Sequence, residues 1–201
     1  MNRAEAINMI AKKINAKSYL EIGVQTGKTF RAVDMPFKIG VDPDPQWVDQ
    51  THLMGSDQFF SMNKQTFDII FVDGLHHREQ VYRDINNALK VLNDGGVILV
   101  DDCAPKKEAY QTRNPTAIHW TGDVWRAWLR IRGRFSSWKT CTYDIEFGLG
   151  CMYEPKEVQN VDREYREQLM IAAEKSYQEF NDRFEELLDL KTTDDFCEDW
   201  K

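Results

Sequence analysis

The chain has 201 residues and a mass of 23.6 kDa, with 26 Lys and Arg against 33 Asp and Glu, a formal charge of −7. That balance argues against a general binder of nucleic acid or anionic membranes, and 42% hydrophobic with 29% charged residues fits one globular domain rather than a disordered chain. No apolar run approaches the ~18 residues a membrane helix needs, and Met1-Asn2-Arg3-Ala4-Glu5 has no apolar signal core, so a cytoplasmic protein is expected.

Ala6, Ile7, Ile10, Ala11 and Ile14 recur at helical spacing, predicting an amphipathic helix over Ala4 to Ala16. Tyr19-Leu20-Glu21-Ile22-Gly23 then reads as a strand ending in glycine, with Thr26 to Ala32 opening the next helix. A second strand, Phe37 to Asp42, is stopped by Pro43 and Pro45, and a weaker third falls near Thr51 to Met54. The near-continuous apolar run Phe67 to Asp73 has the composition of a strand covered on both faces. Arg78 to Leu92 carries Val81, Ile85, Ala88, Leu89 and Leu92 on one helical face, and Asn93-Asp94-Gly95-Gly96 separates it from the strand Val97 to Asp101. A polar segment, Ala104 to Gly122, leads to a helix over Asp123 to Ile131. Thr140 to Tyr153 suits a β-hairpin, and Asp162 to Leu190 reads as one more helix.

This alternation predicts an α/β fold: a doubly wound, Rossmann-like, mostly parallel seven-stranded sheet with an antiparallel C-terminal hairpin, in a single domain. Residues 1–17 would form an N-terminal helix, 18–153 the sheet core, and 154–201 an acidic C-terminal helix and tail. Acids stand at or beside the predicted strand ends: Glu21, Asp42, Asp73 and the pair Asp101-Asp102. One such acid is ordinary loop chemistry, but in a parallel sheet these ends share an edge. Carboxylates gathered there are tolerated only where cations or hydroxyl donors compensate.

The loop Gly23-Val24-Gln25-Thr26-Gly27-Lys28-Thr29 admits three readings. It lacks the middle glycine of the dinucleotide fingerprint, which disfavours NAD. It also has three residues where a P-loop has four before G-K-[ST], although Phe71-Val72-Asp73 imitates a Walker B strand, so a nucleotide hydrolase stays as an alternative. A pocket for S-adenosylmethionine is the third, with Asp42, about 20 residues past the first glycine, at the ribose hydroxyls.

The ordered set Glu21-Ile22-Gly23 with Gly27 and Thr29, Gly40-Val41-Asp42, Phe71-Val72-Asp73-Gly74-Leu75-His76, and Gly95-Gly96-Val97-Ile98 with Asp101-Asp102 resembles the motifs of class I S-adenosylmethionine-dependent methyltransferases. It is most similar to the small, metal-dependent O-methyltransferases of the macrocin type, over Ser18 to Tyr153. Gly122-Asp123-Val124-Trp125 and Gly148-Leu149-Gly150 resemble later blocks of that group. The resemblance implies that Glu21, Gly23, Gly27 and Thr29 line the methionine end of the cofactor, that Asp73 also binds it, and that Asp42 holds the ribose. It also implies that Ser56 or Asp57, in the loop that follows, lies near adenine, and that the helix over residues 1–17 covers the cofactor.

It further implies a Mg²⁺ or other divalent site at Asp73, Asp101 and Asp102, with His76 at the place of the base; the adjacent His77 points in a different direction, and which of the two serves is left open. Hard oxygen ligands suit such a cation, which acidifies and orients an acceptor hydroxyl, and a histidine of ordinary pKa near 6.5 can take its proton. The bland alternatives are that the acids cap loops and that His76 bonds to backbone. The expected function is methylation of a hydroxyl on a small molecule or glycan. A non-catalytic binding protein of the same fold is the other alternative, nucleic acid is an unlikely partner, and a homo-oligomer is left open.

Three weaker features complete the reading. Cys103, Cys141, Cys151 and Cys197 contain no C-x-x-C pair and read as reduced structural thiols, Cys103 included. Val124, Trp125, Trp128 and Leu129 would face the sheet with Arg126 and Arg130 in solvent, and Lys106 to Trp120 is either a lid or a plain connection. Tyr177 to Lys201 holds nine acids and three bases, which reads as a solvated helical face and end with Phe180, Phe184, Leu187 and Leu188 on the packed side, so the rest of the chain carries only −1 and excludes nucleic acid less firmly than the total implies.

Overall fold

The computed structural model describes residues 1–46, 49–115, 118–155 and 162–201. Among them, eight strands form one sheet in the order β3-β2-β1-β4-β5-β7-β6-β8. The strands are β1 (Ser18–Ile22), β2 (Phe37–Asp42), β3 (His52–Leu53), β4 (Phe67–Val72), β5 (Leu92–Val100), β6 (Lys139–Tyr143), β7 (Leu149–Tyr153) and β8 (Leu190–Lys191). Strands β3 to β5 run parallel in that order, while β7 is antiparallel to both neighbours, β5 and β6. The predicted doubly wound α/β sheet with its antiparallel hairpin is therefore present, with eight strands rather than seven. The extra one is a two-residue strand in the tail, parallel to β6.

The apolar strand runs split by parity, as a sheet covered on both sides requires. Leu20, Ile22, Ile70, Val72, Ile98 and Val100 face a core closed by α4 (Arg78–Ala88), α5 (Val124–Arg134) and the tail helices. Tyr19, Ile69, Phe71, Val97, Leu99, Cys141 and Cys151 face the other core, under α1 (Arg3–Ile14), α2 (Lys28–Ala32) and α9 (Thr193–Asp199). Helix α1 is set by a capping box between Asn2 and Glu5 and buries Ala6, Ile7 and Ile10 completely. Burial of each isoleucine contributes about 1.5–3 kcal/mol. Helix α5 buries Val124, Trp125, Trp128 and Leu129 as its pattern predicts, whereas Arg126 and Arg130, expected in solvent, are half-buried against the tail, Arg126 Nη1 donating to Ala173 O (2.8 Å) and Arg130 pairing with Glu174 (2.6 Å).

Three local expectations are corrected. Leu92 does not end α4; it pairs with Phe67 and starts β5, whose register slips at a bulge just beyond. Ser56 and Asp57 open a helix, α3 (Ser56–Met62), rather than lying in a loop. The single tail helix is instead α6 (Arg163–Ala172), α7 (Tyr177–Asn181) and α8 (Phe184–Leu188). Ser176 and Glu179 form a capping box that starts a new helix, and Asp189, left-handed at φ 47°, turns the chain into β8.

The chain winds from β1 outward to β3, then returns to lay β4 on the other side of β1. The topological switch point, where such sheets bind ligands, is thus the crevice at the carboxyl ends of β1 and β4.

Candidate active site at the carboxyl ends of the strands

Backbone hydrogen bonds hold the strand ends in register: Gly23 N donates to Val41 O (2.8 Å), Asp73 N to Ile22 O (2.8 Å) and Asp101 N to Val72 O (3.0 Å). Gly23 and Asp73 thus lie side by side. Gly23 has φ +88°, and a Cβ there would stand 2.0 Å from the Asp73 carbonyl oxygen, so only glycine lets the β1 loop touch the end of β4.

Asp42 ends β2 and is buried. Its Oδ2 accepts from the amides of Val24 (3.0 Å) and Gln25 (2.9 Å), and its Oδ1 from Asp44 N (2.9 Å). Two amides of the loop are thus spent on an anion of the same chain rather than left for a phosphate, which counts against the nucleotide-hydrolase alternative. Gly27 is the left-handed N-cap of α2 and Thr29 lies in its first turn.

Glu21 lies on the α1 side of the sheet and is 1% exposed. Burial pushes its carboxyl from 4.5 up to about 8, against the opposing hydrogen bond that the Tyr19 hydroxyl donates to Oε2 (2.5 Å). Ser56 and Asp57 stand at the start of α3, where Gln80 Nε2 donates to Ser56 Oγ (3.1 Å), Asp57 Oδ1 (3.1 Å) and Asp84 Oδ1 (3.0 Å). Asp84 is wholly buried, its Oδ2 lacks a partner, and burial pushes its carboxyl up to about 6.

Beyond β4 and β5 the acids converge on one histidine. His76 Nε2 lies 3.2 Å from Asp73 Oδ1, and Nδ1 lies 3.2 Å from both Asp102 Oδ2 and the Trp120 carbonyl. The His76 ring stacks on Trp120 at 4.9 Å between centroids. Burial lowers the imidazole pKa, but the hydrogen bond that the ring donates to Asp73 and the charges of Asp102 and Asp73 outweigh it and carry it above 6.5. Burial also pushes the Asp102 carboxyl upward. Asp102 is left-handed at φ 60°, a conformation that turns its side chain away from that of Asp101. His77 points the other way, with Nε2 2.9 Å from Arg113 O.

Asp101 has a partner that the sequence did not announce. Arg3, in the first turn of α1, bonds through Nη1 to Asp101 Oδ2 and to Asp73 Oδ2 (2.8 Å), and through Nε to Glu146 Oε2 (2.5 Å). Asp73 thus gives one oxygen to Arg3 and the other to His76. Besides Arg3, sequence reasoning missed Glu146, Tyr19 and Asp84. Arg3 alone left a trace, since a cation in the first turn opposes the helix dipole and calls for a specific partner.

Among the described residues, the donor atoms of Asp73, His76 and Asp102 all lie within 4.8 Å of one another. This set differs from the expected one, with His76 inside it and Asp101 held by Arg3. Two carboxylates and an imidazole fit a divalent cation, and the nitrogen donor suits Mn²⁺ or Fe²⁺ at least as well as Mg²⁺. Cys103 is a buried thiol donating to Val100 O, which accords with a structural role. No described helix is long and apolar enough to cross a membrane.

Comparison with known proteins is consistent with this geometry. Residues 39–103, which contain Asp42, Ser56, Asp57, Asp73, His76, Asp101 and Asp102, match the family model described as a methyltransferase domain. No curated protein sequence matches the chain. Several solved structures do resemble it. The O-methyltransferase TomG of Streptomyces achromogenes, involved in tomaymycin synthesis and solved with S-adenosylmethionine, has a TM-score of 0.56 at 16% identity, over 76% of this chain and 79% of that one. An O-methyltransferase of Bacillus cereus with S-adenosylhomocysteine gives 0.54 at 15% identity, over 76% and 80%. The Podospora anserina methyltransferase PaMTH1, also with S-adenosylhomocysteine, gives 0.56 at 15%, over 77% and 78%. At such identities the likeness is one of fold, and together with the matched segment it makes this chain a protein of the class I methyltransferase fold.

Proposed function

We propose that the protein is an S-adenosylmethionine-dependent O-methyltransferase that acts on a hydroxyl of a small molecule or a glycan, assisted by a divalent cation. The observation that carries this reading is the convergence, at one switch-point crevice, of the Gly23 loop with Asp42 on one side and Asp73, His76 and Asp102 on the other. Ligand-bound relatives of the same fold support the choice of cofactor.

In this reading Asp42 accepts the ribose hydroxyls with the lone pairs that its loop amides leave free. Glu21, Gly23, Gly27, Thr29 and Asp73 line the amino-acid end, and Ser56 and Asp57 border the adenine. The transfer is a displacement in which the acceptor oxygen attacks the sulfonium methyl, the carbon–sulfur bond breaks, and S-adenosylhomocysteine leaves as a neutral thioether. The hydroxyl proton would go to His76 in its neutral form: Nδ1–H donates to the Trp120 carbonyl, while Nε2 exchanges its contact with Asp73 for the acceptor hydroxyl and takes the proton, and Asp73 and Asp102 then hold the imidazolium. A divalent cation held by Asp73, Asp102 and His76 would supply acidification of the acceptor hydroxyl. Where it takes a nitrogen of His76, the proton would pass to solvent.

The test is calorimetric titration with S-adenosylhomocysteine, followed by methyl transfer from labelled cofactor to a panel of hydroxylated acceptors with and without chelator. Micromolar binding and chelator-sensitive transfer are expected. No binding at millimolar ligand overturns the cofactor assignment. Binding without transfer to any hydroxyl or amine would leave a non-catalytic protein.

A further inference from the structure

Arg3 is not a loose surface cation: the capped first turn and the buried Ala6, Ile7 and Ile10 fix the root of its side chain. Its guanidinium spends two nitrogens on three carboxylates from three separate loops, those of Asp73, Asp101 and Glu146. Asp73 belongs both to this group and to the Asp73–His76–Asp102 set.

A divalent cation drawn to that set meets a positive guanidinium already bonded to one of its carboxylates, so the two cations compete for the same negative charge. The guanidinium alone is tethered to a helix. Resting on the cation reading above, we propose that Arg3 and a divalent cation are alternative occupants of the carboxylate cluster, so that cation binding expels Arg3 and frees the first turn of α1. The N-terminal helix would then report cation occupancy through one side chain.

Mn²⁺ binding to the full chain, followed by the paramagnetic resonance of free Mn²⁺, tests this with the wild type, Arg3→Gln and Glu146→Gln. Competition predicts binding at least about tenfold tighter in Arg3→Gln, the size of effect that loss of one charged hydrogen-bonded competitor brings. Glu146→Gln guards against a folding defect in the first variant. It removes a negative charge, so a simple field effect weakens Mn²⁺ binding, whereas loss of an Arg3 anchor strengthens it. Hydrogen exchange in the wild type reads the release directly: saturating Mg²⁺ should speed exchange of the first-turn amides, such as Ala6 N bonded to Asn2 O.

Equal Mn²⁺ affinity in the wild type and Arg3→Gln, weaker affinity in Glu146→Gln, or an unchanged first turn overturns the competition alone. Absence of Mn²⁺ binding in all three proteins overturns the cation reading and this inference with it.

Discussion

Two residues, His76 and Glu21, take their chemistry from their surroundings. His76 sits between Asp73 and Asp102 under Trp120, so His76→Asn should lower kcat/KM by about 10²–10⁴ while calorimetry finds S-adenosylhomocysteine affinity nearly unchanged. A comparable loss of cofactor affinity would instead make it a structural residue. Glu21 carries a pH signature in stability. Its pKa is about 8 in the fold and 4.5 unfolded, so the native state holds the proton more tightly. Its contribution is fully present below pH 4.5 and is lost as pH rises toward 8. Thermal melts across that window should therefore show a steeper decline for the wild type than for Glu21→Gln. Parallel curves would mean that Glu21 is ionised in its buried place. Glu21 was legible from the acids at the strand ends, and His76 from the resemblance that its motif carries. Arg3 and Glu146 were not, because they lie 143 positions apart and nothing local in either marks the other.

At the level of elements, turns and caps decide more than propensity. Gly23→Ala would force a side chain into a left-handed residue and onto the Asp73 carbonyl, so a loss of about 1–3 kcal/mol is expected by denaturant melt, together with loss of cofactor binding. Retained binding with lower stability would move the cofactor away from this loop.

The acidic tail reads differently once its elements are known. Its acids were expected on one solvated helical face, yet Glu179 and Asp195 close capping boxes, and Glu185, Glu186 and Asp194 lie in the first turns of α8 and α9. Short helices need many starts, and each start favours an acid near its exposed amides. Periodicity could not separate three helices from one, because the breaks at Ser176 and at Asp182–Arg183 interrupt neither the apolar count nor its spacing.

At the scale of the molecule, the switch-point crevice draws on β1, β2, β4 and β5 at once, so filling it should stabilise the whole fold. At cofactor about 100 times its dissociation constant, binding contributes about 2.7 kcal/mol, which raises the melting temperature of a domain this size by roughly 5–10 °C. A melting point that stays constant across a titration of S-adenosylmethionine would contradict the cofactor reading at this scale.

The amino-acid sequence by itself determined the winding of the sheet, because buried parallel strands must be apolar on both faces and each needs a covering helix with a readable period. It also determined that carboxylates gather at one edge, since strand ends in such a sheet share a side. What only the tertiary structure decided is how those carboxylates divide. Asp101 turns to a guanidinium from the N-terminal helix, while left-handed Asp102 turns to His76 beside Asp73. Adjacent side chains diverge according to backbone torsion and to whatever distant charge arrives, and neither is written in the local order of residues.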